Sequence, residues 1–105
     1  MRPDDLTTML GFYGLALASG TDGAPRVERA PDFAAKSRGW LRAGDHNHLR
    51  LTRILTCVRL LGLADHGRGL YRCLAAIARD HPAAISATTL AYWRRAAGSE
   101  PAGSA

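Results

Sequence analysis

The sequence is poor in lysine, cysteine and long apolar runs, and each scarcity excludes something. No segment approaches the roughly 20 apolar residues of a membrane-spanning helix. The most apolar stretch, Met9 to Ala18, is interrupted by Gly11 and Gly14. Its Ala16-Leu17-Ala18 mimics a signal-peptide cleavage site, but Asp4 and Asp5 stand where a positive leader segment belongs. The reading is a soluble, cytoplasmic chain. The two cysteines, Cys57 and Cys73, are far from any Cys-x-x-Cys spacing, so they read as two buried thiols in a reducing compartment. There is no Gly-x-Ser-x-Gly elbow, phosphate loop or His-Glu-x-x-His helix. No catalytic residue, metal or cofactor is expected. No strand pattern and no repeat of 20 to 50 residues is visible either.

What is abundant is arginine. Of 14 basic residues 13 are arginine, with Lys36 the single lysine, and nine carboxylates leave a formal charge of +5. Such a balance suits acidic partners without choosing among nucleic acid, membrane and protein. Ala, Gly and Arg are also what a GC-rich coding sequence produces, so composition alone is a weak argument for phosphate recognition. With 105 residues the chain has room for one domain and one core.

The chain is organised around Asp45 to Leu63. On a helical wheel Leu51, Ile54, Leu55, Val58 and Leu61 fall in a sector roughly 120° wide, as a core-facing stripe should. Thr52, Arg53, Thr56 and Arg59 lie opposite, and Leu49 and Leu60 lie among them, which predicts a second packing partner. Asp45 is placed to cap the N-terminus and Gly62 to end the helix in the left-handed conformation.

Around this helix, spacing predicts four more segments. Leu6, Met9, Leu10, Tyr13 and Leu17 predict an amphipathic helix over 4–18. Gly20 to Pro31 reads as a loop, and Pro31 to Leu41 as a short helix with Trp40 as a core anchor. A helix from near Asp65 to Asp80 places Leu70, Leu74 and Ile77 on one face, with Gly67 and Gly69 weakening its first turn. Ser86 caps a last helix with Leu90, Trp93 and Ala97 on one side, closed by Gly98. The expected fold class is all-α, a bundle of four to five short helices over 4–97 with a disordered tail over 98–105.

The histidines are the first candidates for chemistry, because Asp-His occurs at Asp45-His46, Asp65-His66 and Asp80-His81. Adjacent helical residues point about 100° apart, so these pairs read better as helix-end residues than as catalytic dyads. His46 and His48 would chelate from a strand but not from a helix start. For nucleic acid, Arg50 and Arg53 on the central helix with Arg94 and Arg95 on the last one are the candidate phosphate contacts. The two helices joined at Gly62 suggest a helix-turn-helix, against which the glycines at 67 and 69 count.

His46-Asn47-His48-Leu49-Arg50-Leu51-Thr52-Arg53-Ile54-Leu55, followed by Val58-Arg59-Leu60-Leu61-Gly62-Leu63, resembles the signature of the opioid growth factor receptor conserved region in its bacterial form. Met9-Leu10-Gly11-Phe12-Tyr13-Gly14-Leu15, Trp40-Leu41 and Leu90-Ala91-Tyr92-Trp93-Arg94-Arg95 agree in order. The family's other half, with its aromatic Trp-Leu-Phe-Pro type segment, has no counterpart, so the chain resembles the C-terminal half. Animal members are taken to bind a short opioid peptide at the nucleus and its membrane. The resemblance thus implies a non-enzymatic binding domain with a protein or peptide partner, and His46, Asn47, His48, Arg50, Arg53 and Trp40 are the candidate surface. A missing half further predicts that the chain self-associates, pairs with a separate N-terminal fragment, or is given a start that lies too late. The competing class is a small basic nucleic-acid-binding protein.

Overall fold

Gly14 decides the topology of the N-terminal third. Its φ is +76°, and a Cβ there would meet Phe33 Cα at 2.8 Å and Lys36 Cβ at 2.9 Å, so only glycine fits. The computed structural model describes residues 3–20 and 22–98. Helix α1 (Pro3–Phe12) ends just before this glycine, and the chain then turns into strand β1 (Leu15–Ser19). The expected helix over 4–18 is therefore corrected to a helix and a strand. Strand β2 (Pro25–Arg29), read from sequence as loop, pairs antiparallel with β1 from Leu15 opposite Arg29 to Ser19 opposite Pro25. The fold is mostly helical with a two-stranded sheet, not strictly all-α.

The hairpin's tip is closed by Gly20 donating to the Ala24 carbonyl at 2.8 Å and by the Asp22 carboxylate accepting from the Ala24 amide at 3.0 Å. Ala30 donating to the Gly14 carbonyl at 2.8 Å closes its open end. An isolated two-stranded hairpin is marginal in water. Here Leu15 and Val27 are buried in the core, and α4 (Ala64–Asp80) packs on β2. Gly69 brings the two backbones together, because a Cβ there would stand 3.0 Å from the Pro25 carbonyl oxygen. An Arg29–Asp80 ion pair joins the same elements.

The predicted segment over Pro31–Leu41 is shorter than expected: α2 (Phe33–Lys36) runs into a 3-10 turn over Ser37–Gly39. Trp40 follows and is fully buried. Next come α3 (Asn47–Leu60), α4 and α5 (Ala87–Ala97), close to their expected bounds. The Asp45 carboxylate accepts from the Asn47 amide at 2.8 Å, as an N-cap does. Gly62, at φ +83°, ends α3 while Leu63 donates back to Val58 and Gly62 to Arg59, a Schellman ending. Ser86 Oγ accepts from the Thr89 amide at 3.1 Å, and Gly98 closes α5 at φ +74°.

Between these helices lie Leu6, Leu10, Leu51, Leu55, Val58, Leu70, Leu74, Ile77 and Trp93, all buried. Burial of each large apolar side chain contributes about 1.5–3 kcal/mol. On α4 the stripe Leu70, Cys73, Leu74, Ile77, Ala78 has helical spacing. Cys73 is buried as expected, but Cys57 is exposed, which corrects the reading of two buried thiols. Position 57 is turned about 100° away from Val58 on the wheel, outside the stripe. The expected tail over 98–105 lies, beyond Gly98, outside the described residues. Among those residues no helix is long and apolar enough to cross a membrane.

Candidate binding surface around the first half of α3

Three buried rings hold the start of α3 in place. His48 lies between Trp40 and Trp93, edge-on to both, with centroids 6.4 and 5.7 Å away. Its Nε2 is 2.8 Å from the Trp40 carbonyl oxygen, and a carbonyl only accepts, so Nε2 carries the proton. The His48 carbonyl in turn accepts from Trp93 Nε1 at 2.9 Å, and Trp40 Nε1 donates to the Tyr13 carbonyl at 3.1 Å. One histidine thereby ties the end of α1, the segment before α3, and α5. Of the six candidate surface residues, Trp40, Asn47 and His48 are buried, while His46, Arg50 and Arg53 are exposed. The motif splits into residues that position and residues that present.

Asn47 is the exception among the buried three. Its Nδ2 donates to the Gly39 carbonyl at 3.3 Å, but its Oδ1 is buried without a hydrogen-bond partner among the described residues. An unmet buried acceptor costs about 1–3 kcal/mol. The side chain lines a cavity of about 320 Å³ together with Phe12, Ala35, Lys36, Gly39 and Trp40.

Phe12 also lines a second cavity of about 310 Å³ between α1 and α3, with Thr8, Met9, Tyr13, Arg50 and Ile54. This groove is apolar apart from its rim. Arg50 stands there; burial pushes the Tyr13 phenol's pKa up, and the positive charge of Arg50 opposes the rise. Phe12 itself is 63% exposed. Sequence reading took Phe12 only as part of a motif, yet it falls about 200° from Leu10 on the wheel, off the core stripe, and that offset was the available signal.

The other candidates are dispersed. Arg53 points outward, and Arg94 and Arg95 end α5. Arg59, not singled out from sequence, donates from Nε to the Ala96 carbonyl at 2.9 Å and so satisfies the C-terminal end of α5. The three Asp-His pairs do fall at helix ends, at the starts of α3 and α4 and the end of α4. Asp45 is occupied by the Asn47 amide and Arg42. Among the described residues no group of three His, Cys, Asp or Glu could hold a metal ion. Gly67 and Gly69 put one side of the start of α4 against the protein, while Asp65 in the same turn is exposed.

The chain is thus a small, mostly helical domain with an apolar groove beside Arg50. The family model of the opioid growth factor receptor conserved region matches residues 4–100, and the chain belongs to that family. It is 42% identical over 64 residues to the opioid growth factor receptor of Mus musculus. That match covers 61% of this chain and 10% of the mouse protein, so the chain spans about a tenth of its relative's length. No solved structure matches the chain significantly.

Proposed function

We propose that this chain is a non-enzymatic binding domain, formed by residues 4–97, that takes a short peptide in the groove between α1 and α3. The observation that carries the reading is the pairing of an apolar, concave lining at Met9, Phe12, Tyr13 and Ile54 with Arg50 at its rim. A peptide offers an apolar or aromatic side chain for the first and a carboxylate for the second. The mouse relative's name makes it a receptor for an opioid growth factor, which favours a short peptide as the ligand class. Both cysteines are free, which suits the reducing cytoplasm.

Calorimetric titration with a short opioid peptide tests this. Binding that weakens at least about tenfold in Phe12→Ala and in Arg50→Ala, with unchanged helical circular dichroism, is the expected result. Binding indifferent to both substitutions would remove the groove from the account.

A further inference from the structure

The outer face of α3 and α5 is a separate surface, away from the groove. Leu49 and Leu60 are 58% and 70% exposed, and 11 residues of helix bring them to within about 20° of one line. Arg53 lies on the same line between them. On α5, Tyr92 is 55% exposed and Arg95 follows at the i+3 position of the same side. Leu49 and Tyr92 meet across a shallow cavity of about 280 Å³ lined also by Thr52, Thr89, His46 and the Asp45 carboxylate, which Arg42 and the Asn47 amide engage. Two exposed leucines thus stand about 16 Å apart, three helical turns, with Arg53 and Thr56 between them.

Its charge is one-sided. Helices α3 and α5 carry Arg50, Arg53, Arg59, Arg94 and Arg95 and no carboxylate at all. The nearest described acids are engaged: Asp45 with Arg42 and the Asn47 amide, Asp65 with Arg68. A second copy would bring the same arginines against these, a like-charge contact. Nucleic acid would satisfy Arg53 and Arg95 but would leave Leu49, Leu60 and Tyr92 against a polar backbone. An acidic amphipathic helix satisfies both features, with its apolar residues on the leucines and its carboxylates flanking them.

We infer that the α3–α5 face docks an acidic amphipathic helix from a partner protein, along the line Leu49–Arg53–Leu60 and over Tyr92. The inference stands apart from the groove reading, because its residues do not line that groove.

The test is selection of peptides from a random helical display library on the full chain, with counter-selection on Leu49→Ser/Leu60→Ser. Both positions are exposed, so this variant keeps its melting behaviour; Arg53→Glu/Arg95→Glu serves as the second, independent variant. The expected pool carries apolar residues at i, i+4 and i+11 with flanking Asp and Glu. Its members lose at least about tenfold in affinity on either double variant, and for the arginine variant the loss is greater at low salt than at high. A pool without acidic bias, or no enrichment above the counter-selection, overturns the inference. So does a wild-type dimer in sedimentation that the leucine variant abolishes, which would give the face to a second copy. Duplex DNA that displaces the selected peptides through Arg53 and Arg95 would give it to nucleic acid.

Discussion

Trp93 Nε1 donates to the His48 carbonyl across 2.9 Å, while the two rings meet edge-on at 5.7 Å. This pairing locks α5 against the first turn of α3, and with it the positions from which Leu49 and Arg50 are presented. Trp93→Phe keeps most of the volume and loses the hydrogen bond, so it is expected to cost about 1 kcal/mol in urea denaturation. Trp93→Ala adds a cavity and is expected to cost about 3–5 kcal/mol. Equal costs for the two would mean that the hydrogen bond, lost in both, and not the packing, fixes the helix.

Asp45 couples the same turn to pH. Hydrogen bonding from the Asn47 amide, first, and then from the Asn47 side chain and Arg42 holds its carboxyl below the usual range. A lowered folded value means the stabilisation is fully present above the unfolded value of about 3.9 and is lost as pH falls through the folded value. Asp45→Ala is therefore expected to cost about 0.5–2 kcal/mol at neutral pH. That gap should close on acidification. Asp80, lowered by its hydrogen bond with Arg29, titrates in the same direction, so the difference between wild type and variant is the quantity to follow.

The two thiols should separate cleanly. Cys57 is exposed, while burial pushes the Cys73 thiol up to about 11. A thiol reagent at neutral pH should label Cys57 quickly and Cys73 only on unfolding. Two fast thiols in the native protein would contradict the packing of α4 on β2.

Two glycines in helices should respond in opposite directions to alanine. Nothing lies within 4 Å of a Cβ built on Gly11, so Gly11→Ala should stabilise by up to about 1 kcal/mol. At Gly69 the new Cβ meets the Pro25 carbonyl at 3.0 Å, and that backbone is held in the hairpin. Gly69→Ala should lower the melting temperature despite its better helix propensity.

The helices from α3 onward were legible from their apolar stripes, and at α3 and α5 a cap agrees with the stripe; α4 starts without a side-chain cap, and Leu61, expected in the core stripe of α3, is exposed. The hairpin was not. Leu17 continues the spacing of Leu6, Leu10 and Tyr13, so the helical pattern runs through Gly14, where the backbone in fact reverses. Strand β2 has a single buried residue, Val27, between charged neighbours, too little for a period of two to register. The site was half legible. The motif from His46 to Arg53 falls at the start of α3, but which members face inward depends on Trp40 and Trp93 arriving from distant parts of the chain. Leu49 and Leu60 were readable as misfits, and both are indeed exposed.

The most direct test of the binding account is chemical-shift mapping of isotope-labelled protein with a short opioid peptide. The account predicts saturable shifts centred on Thr8, Met9, Phe12, Tyr13, Arg50 and Ile54, with the α4–β2 side unmoved. Absence of shifts, or shifts gathered elsewhere on the surface, would contradict it.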